Sequence, residues 1–241
     1  MASIRGVTFF SQSTSAGLAM SASAVSTGDY AIAIGGHDGN NPNTITASGS
    51  YWTAVMTGSM TGFPHAAFAY YTIITGSTPV PYEFTASAGA NGFVGTLVIV
   101  DPAGATVNYV TSSVSGTTAA GNGSASFQMP GAAGTSVLIG AWVADDLVAS
   151  GLDPVGMAFQ GQVDSTGMSM RTYTQLDVGA GTIDKLHAWA TETERYAIGI
   201  LLSFQDGGTP TVNRILISPS GNSRMHIDGS PLTGPRIRIN L

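Results

Sequence analysis

Apolar residues in this chain come in short runs, not at helical spacing. Most runs are rich in β-branched or aromatic residues and stop at Gly, Pro, Asn or Ser, as strands between turns do. The pattern predicts a first series of strands at 6–12, 18–23, 29–35, 52–57, 66–75, 82–87 and 93–100. A second series follows at 106–112, 124–129, 136–143, 156–163, 168–176, 185–191 and 196–205. Turn clusters such as GHDGNNPN, GSTPVP, DPAG, AAGNGS and VGAGT separate them. The fold class expected is all-β.

Two of the runs are long and unbroken. FVGTLVIVD ends at Asp101 and AIGILLSFQD ends at Asp206, about a hundred residues later. A strand that alternates buries one face, whereas a continuous apolar run is buried on both. Other signals recur in the same order. Ser21–Ser23 precedes YAIAIGG, and Ser124–Ser126 precedes SVLIGAW. Each of these runs leads into an acidic loop, at His37-Asp38 and at Asp145-Asp146. A Gly and a large apolar residue follow, Gly49 to Trp52 and Gly156-Met157, and then the Tyr-bearing runs AFAYYTI and SMRTYTQL. The shared order predicts an internal repeat over about 18–101 and 124–206. No linker interrupts Asp101-Pro102-Ala103-Gly104, which reads as a tight turn. The two related halves are therefore expected to share one jelly-roll-like β-sandwich over 1–206, with two separate sandwiches as the alternative.

Beyond Gln205 the pattern changes. RILISPSG, RMHIDGSP and GPRIRINL alternate apolar and polar residues between Gly/Pro breaks, so 207–241 reads as an extended C-terminal arm or a set of edge strands. Ile237, Ile239 and Leu241 fall on one side of the last stretch, with Arg238 and Asn240 on the other. A lone strand cannot bury such a face by itself. The arm is expected to pack on the body or to add to a neighbour's sheet.

Charge sharpens this division. Charged residues make up 9% of the 241-residue chain, against roughly 25% in an ordinary globular domain. The net charge is −6, yet 207–241 holds Arg214, Arg224, Arg236 and Arg238 against Asp228 alone, a balance of +3 that leaves −9 elsewhere. The basic arm, represented by Arg214, Arg224, Arg236, Ile237, Arg238, Ile239 and Leu241, is the candidate assembly element, suited to an acidic neighbour. An acidic body without clustered Lys and Arg argues against a nucleic-acid partner. No apolar run reaches the roughly 18 residues of a membrane helix, so no membrane partner is expected. MASIRGVTFF lacks the long apolar stretch of a secretion signal, which predicts synthesis in the cytoplasm.

Chemistry is sparse. Cysteine is absent, which removes disulfides, zinc-thiolate sites and a Cys nucleophile. His37-Asp38 is the one adjacent His–carboxylate pair, and neighbours along a strand point opposite ways. No G-x-S-x-G elbow surrounds a serine. Glu83, Glu192 and Glu194 form no evident pair for glycoside hydrolysis. HDGNN at His37–Asn41 and Asp145-Asp146 offer oxygen ligands that calcium could use, but the same residues build ordinary turns. No catalytic, cofactor or metal residue is assigned, and no enzyme is expected. Trp142 and Trp189 read as core. Tyr51 and Trp52, beside a Gly/Ser loop, are the candidate glycan contacts.

Four blocks carry a resemblance: Gly28-Asp29 before an apolar strand, Trp52-Thr53, Tyr70-Tyr71, and Tyr82–Thr85 within TPVPYEFTAS. Over roughly 24–206 the chain resembles a loose group of β-sandwich proteins of tailed bacteriophages, the minor tail and other virion structural proteins. It departs from their pattern at Ser50-Tyr51, which separates Gly49 from Trp52, and at Thr78, which replaces a Glu before Pro79. The resemblance implies a virion part and not an activity, and with the low charge and the basic arm the expectation is a non-enzymatic, homo-oligomeric capsid decoration or minor tail protein. Its partners would be other capsid or tail proteins and its place the virion. The alternative is a carbohydrate- or receptor-binding module at a tail tip, with a host surface glycan as ligand.

Overall fold

The computed structural model describes residues 1–13, 17–22, 25–38, 45–59, 65–76, 82–86, 92–117, 124–145, 150–190, 195–205, 214–216 and 226–228. These residues contain eighteen strands and no helix. The first eight are β1 (Ser3–Gln12), β2 (Gly17–Met20), β3 (Tyr30–Asp38), β4 (Ile45–Ala47), β5 (Thr53–Ser59), β6 (His65–Ile73), β7 (Tyr82–Ala86) and β8 (Gly92–Asp101). The next eight are β9 (Thr106–Thr117), β10 (Ser124–Pro130), β11 (Ser136–Asp145), β12 (Ser150–Leu152), β13 (Ala158–Ser165), β14 (Met168–Leu176), β15 (Thr182–Trp189) and β16 (Arg195–Gln205). They form one compact unit, Met1–Asp206. Gly207–Leu241 is a second unit, in which β17 (Arg214–Leu216) pairs antiparallel with β18 (His226–Asp228).

Strands β1–β8 make a five-stranded sheet, ordered β1-β8-β3-β6-β5, and a three-stranded sheet, β2-β7-β4. Strands β9–β16 make β9-β16-β11-β14-β13 and β10-β15-β12. Adding eight to each strand number of the first pair of sheets produces the second pair. All pairings are antiparallel.

Three cores hold the sheets together. Leu18, Met20, Phe68, Tyr82, Phe84, Phe93 and Leu97 fill the space between the sheets of β1–β8. Phe127, Met129, Leu138, Trp142, Tyr173 and Trp189 fill the equivalent space in β9–β16. Ile32, Ile34, Val94 and Val98 from one five-stranded sheet meet Ile139, Val143, Met170 and Ile198 from the other. The body is thus four layers, of three, five, five and three strands.

The all-β body of packed antiparallel sheets agrees with the expected β-sandwich, with four sheets where two were expected. The unbroken runs occupy β8 and β16, which are buried along their length and lie inside the five-stranded sheets. One face of each packs on its own three-stranded sheet, and the other on the opposing five-stranded sheet. A two-sheet sandwich has one core and cannot cover both faces.

Glycine shapes each layer pair. Gly35 faces Gly95 across β3 and β8, and Gly140 faces Gly199 across β11 and β16. A Cβ on Gly95 would strike Met20, and one on Gly199 would strike Phe127. Gly95 and Gly199 are the recesses that receive Leu18 and Met20, and Phe127 and Met129, from the three-stranded sheets. The Gly28-Asp29 block has a structural role as well. Gly28 has φ 95°, and the buried Asp29 accepts from the Ser26 amide at 2.7 Å and pairs with Arg5 at 2.8 Å. Arg5 also holds Asp101, the residue that closes FVGTLVIVD, at 2.8 Å.

Candidate functional site

Trp52 stands inside the first sandwich. It is 9% exposed and packs edge-on to Tyr82 (centroids 5.1 Å apart) and against Phe84 (5.3 Å). Tyr51 remains partly exposed beside it, and its carbonyl accepts from Thr72 Oγ1 at 2.8 Å. The Trp52 ring closes the aromatic core, so Tyr51 and Trp52 do not present a paired face to a sugar. Of the arm residues, Arg214 begins β17, opposite Asp228. Arg224, Arg236, Ile237, Arg238, Ile239 and Leu241 lie outside the described residues. His37 and Asp38 end β3 instead of opening a loop, and His37 is buried edge-on to Phe93 at 5.0 Å. Glu83 is exposed on β7, whereas Glu192 and Glu194 lie outside the described residues. Among the described residues no three His, Asp or Glu side chains gather as metal ligands, and no helix is long and apolar enough to cross a membrane.

A polar cluster forms elsewhere, inside the second sandwich. The opposite face of β14 meets the other five-stranded sheet through Met168, Met170 and Thr172. Arg171 and Tyr173 therefore turn toward the three-stranded sheet, Tyr173 into its core. From that sheet β15 directs His187 and Trp189 inward. The segment between β12 and β13 brings Asp153 to the edge of this sandwich to meet them. Tyr173 Oη donates to Asp153 Oδ1 at 2.6 Å, and Arg171 Nη1 donates to the same oxygen at 3.3 Å. His187 Nε2 lies 3.9 Å from that oxygen. Arg171 is fixed further by Nε donating to Gln162 Oε1 at 2.9 Å and by stacking over the Phe159 ring at 4.8 Å. Lys185 Nζ donates to the Val155 carbonyl at 2.7 Å, which ties the β12–β13 segment to β15.

Electrostatics follow from this packing. His187 is fully buried among Trp189, Tyr173 and Trp142, with ring centroids 4.2, 5.7 and 6.0 Å away. Burial, reinforced by the Arg171 charge, lowers its pKa to about 4 despite the opposing pull of Asp153. The imidazole is neutral at physiological pH, and among the described residues neither ring nitrogen has a hydrogen-bond partner. Burial and the bond to Asp153 push the Tyr173 phenol far up, so Tyr173 stays a hydrogen-bond donor. Lys185 is lowered by partial burial. The arrangement supplies a carboxylate acceptor and a guanidinium donor side by side at a rim, with Phe159 exposed next to them.

Residue reading alone does not assign this cluster. Arg171-x-Tyr173 and His187-x-Trp189 each have the spacing of one strand face, which was the available signal. The direction of each face depends on which sheet covers it, and that is a tertiary fact. No protein-family model, curated protein or solved structure matches the chain.

Proposed function

We propose that the chain is a non-enzymatic structural protein of a tailed-phage particle, a capsid decoration or minor tail component, whose body is a duplicated jelly roll. The observation that carries this reading is the division between a layered β body and a separate C-terminal unit. Each set of eight strands follows the 1-8-3-6 and 2-7-4 pairing of a jelly roll, with the fifth strand kept beside the sixth. The same order in both sets supports duplication. A surface with 9% charged residues in the chain suits lateral packing against like subunits, and Gly207–Leu241, at +3, suits docking on an acidic partner. The alternative, receptor binding at a tail tip, draws its support from the cluster at Asp153 and not from Tyr51 and Trp52.

The test is particle composition. Particles purified from a phage carrying this gene should contain the chain in fixed ratio to the major capsid or tail protein by mass spectrometry. A chain ending at Asp206 should keep the thermal midpoint of the body and be missing from the particles. Absence of the full chain from particles, or normal incorporation of the shortened one, overturns the reading.

A further inference from the structure

The two sandwiches differ where their topology is the same. Gly35 faces Phe68 as Gly140 faces Tyr173, so Ala66, Phe68 and Tyr70 correspond to Arg171, Tyr173 and Gln175. Leu18 and Met20 cover Gly95 as Phe127 and Met129 cover Gly199. Leu18 faces Phe84 and Phe127 faces Lys185, so Phe84 and Ala86 correspond to Lys185 and His187. The first sandwich closes this end with apolar and aromatic side chains. The second places a guanidinium, an ammonium, an amide and an imidazole there. The fold does not require them, because the first sandwich forms without them. Burying such groups costs free energy, most of all where a buried polar atom is left unpaired. Among the described residues His187 Nδ1 and Nε2, Trp189 Nε1 and Gln175 Oε1 are buried without a hydrogen-bond partner in this sandwich, against Trp52 Nε1 and Tyr82 Oη in the first.

We propose that the edge of the second sandwich at Asp153 binds a saccharide, with Phe159 as the stacking platform and Asp153 and Arg171 as hydroxyl partners. Phe159 is 48% exposed and Asp153 58% exposed, so both reach solvent. Arg171 covers one face of the Phe159 ring and the Tyr173 ring lies 5.2 Å from it, so the surface left for the C–H face of a sugar is the solvent-exposed half of the ring. Asp153 Oδ1 is fixed by Tyr173 and Arg171, and the carboxylate and guanidinium lie 3.3 Å apart. An adjacent acceptor and donor of this kind match a vicinal diol, whose two hydroxyls accept and donate together. A phosphate or other strong anion fits less well, because Asp153 offsets the Arg171 charge at the rim.

The full chain should be tested on a printed panel of hexoses, N-acetylhexosamines, uronic acids and their oligomers. Calorimetry should follow with the saccharide that gives the strongest response. At least one saccharide should bind, and Phe159→Ala and Asp153→Asn should each weaken it by about ten-fold or more. Both side chains are solvent-facing, so the variants should fold, as an unchanged circular-dichroism spectrum would verify. Tyr51→Ala should bind as the parent does. No binding to any panel member by the folded chain, or affinity unchanged in both variants, overturns the assignment. Particle incorporation of Phe159→Ala is a separate readout and should be normal.

Discussion

His187 shows what one buried side chain does to the whole stability profile. Its imidazole is held neutral by desolvation among three aromatic rings. The charged groups around it are Arg171 from β14, Asp153 from the β12–β13 segment and Lys185 on its own strand. In the unfolded chain its pKa returns to the ordinary 6.5, against about 4 in the folded protein. Between those values the unfolded state binds a proton that the folded state refuses. Stability from this residue is therefore complete above about pH 6.5 and is lost as the pH falls toward 4, by about 3 kcal/mol in all. Urea denaturation across pH 7 to 4 should show this loss, and His187→Met should flatten the slope relative to the parent. Equal slopes would mean that the imidazole takes up its proton as readily in the folded protein as in the unfolded chain. Sequence alone could not anticipate this role, since LHAWAT places a histidine between apolar neighbours without telling which face is covered.

At the scale of elements, strand burial sets the order of local opening. β3, β8, β11 and β16 have a hydrogen-bonded neighbour on each side and packed layers on each face. Their amides should exchange with solvent only on global unfolding. β4 and β12, three residues each at the edges of three-stranded sheets, should exchange fastest among the paired strands of the body. Hydrogen exchange resolved by fragment mass spectrometry would check this ranking, and protection of β12 equal to that of β11 would contradict it. The same physics decided what was legible. Strands β3, β8, β11 and β16 stand out as continuous apolar runs because both faces are buried, and β7 stands out because YEFTA alternates in and out. β4 and β12 carry no signal, since three residues are too few for a period. Layer number was hidden as well. A run buried on both faces reports that two partners exist and not which sheets they are.

The whole body is organised around the middle layer boundary, where the two five-stranded sheets meet. Within this largely apolar core Thr96 Oγ1 of β8 and Thr172 Oγ1 of β14 lie 2.8 Å apart, both side chains fully buried, while Tyr30, Ser112 and Ser165 add hydrogen bonds between the same two sheets nearer the surface. Each of these strands is also committed to its own sandwich, so separating the sandwiches exposes a face of β8 and of β14 at once. The hydroxyl pair is a probe of whether this boundary forms as described. Valine has nearly the shape of threonine, so Thr96→Val removes one hydroxyl without opening a cavity and strands the other in an apolar setting. The same holds for Thr172→Val. Each single variant should lose about 1–3 kcal/mol, the cost of a buried polar group left unpaired. The double variant strands nothing and replaces a polar pair with packed methyl groups. It should be destabilised by less than the sum of the singles and should approach the parent. Chemical denaturation of the four proteins, with unchanged m-values, completes the cycle. Strictly additive losses would show that Thr96 and Thr172 do not meet, and with them the stacking of the two five-stranded sheets would fall.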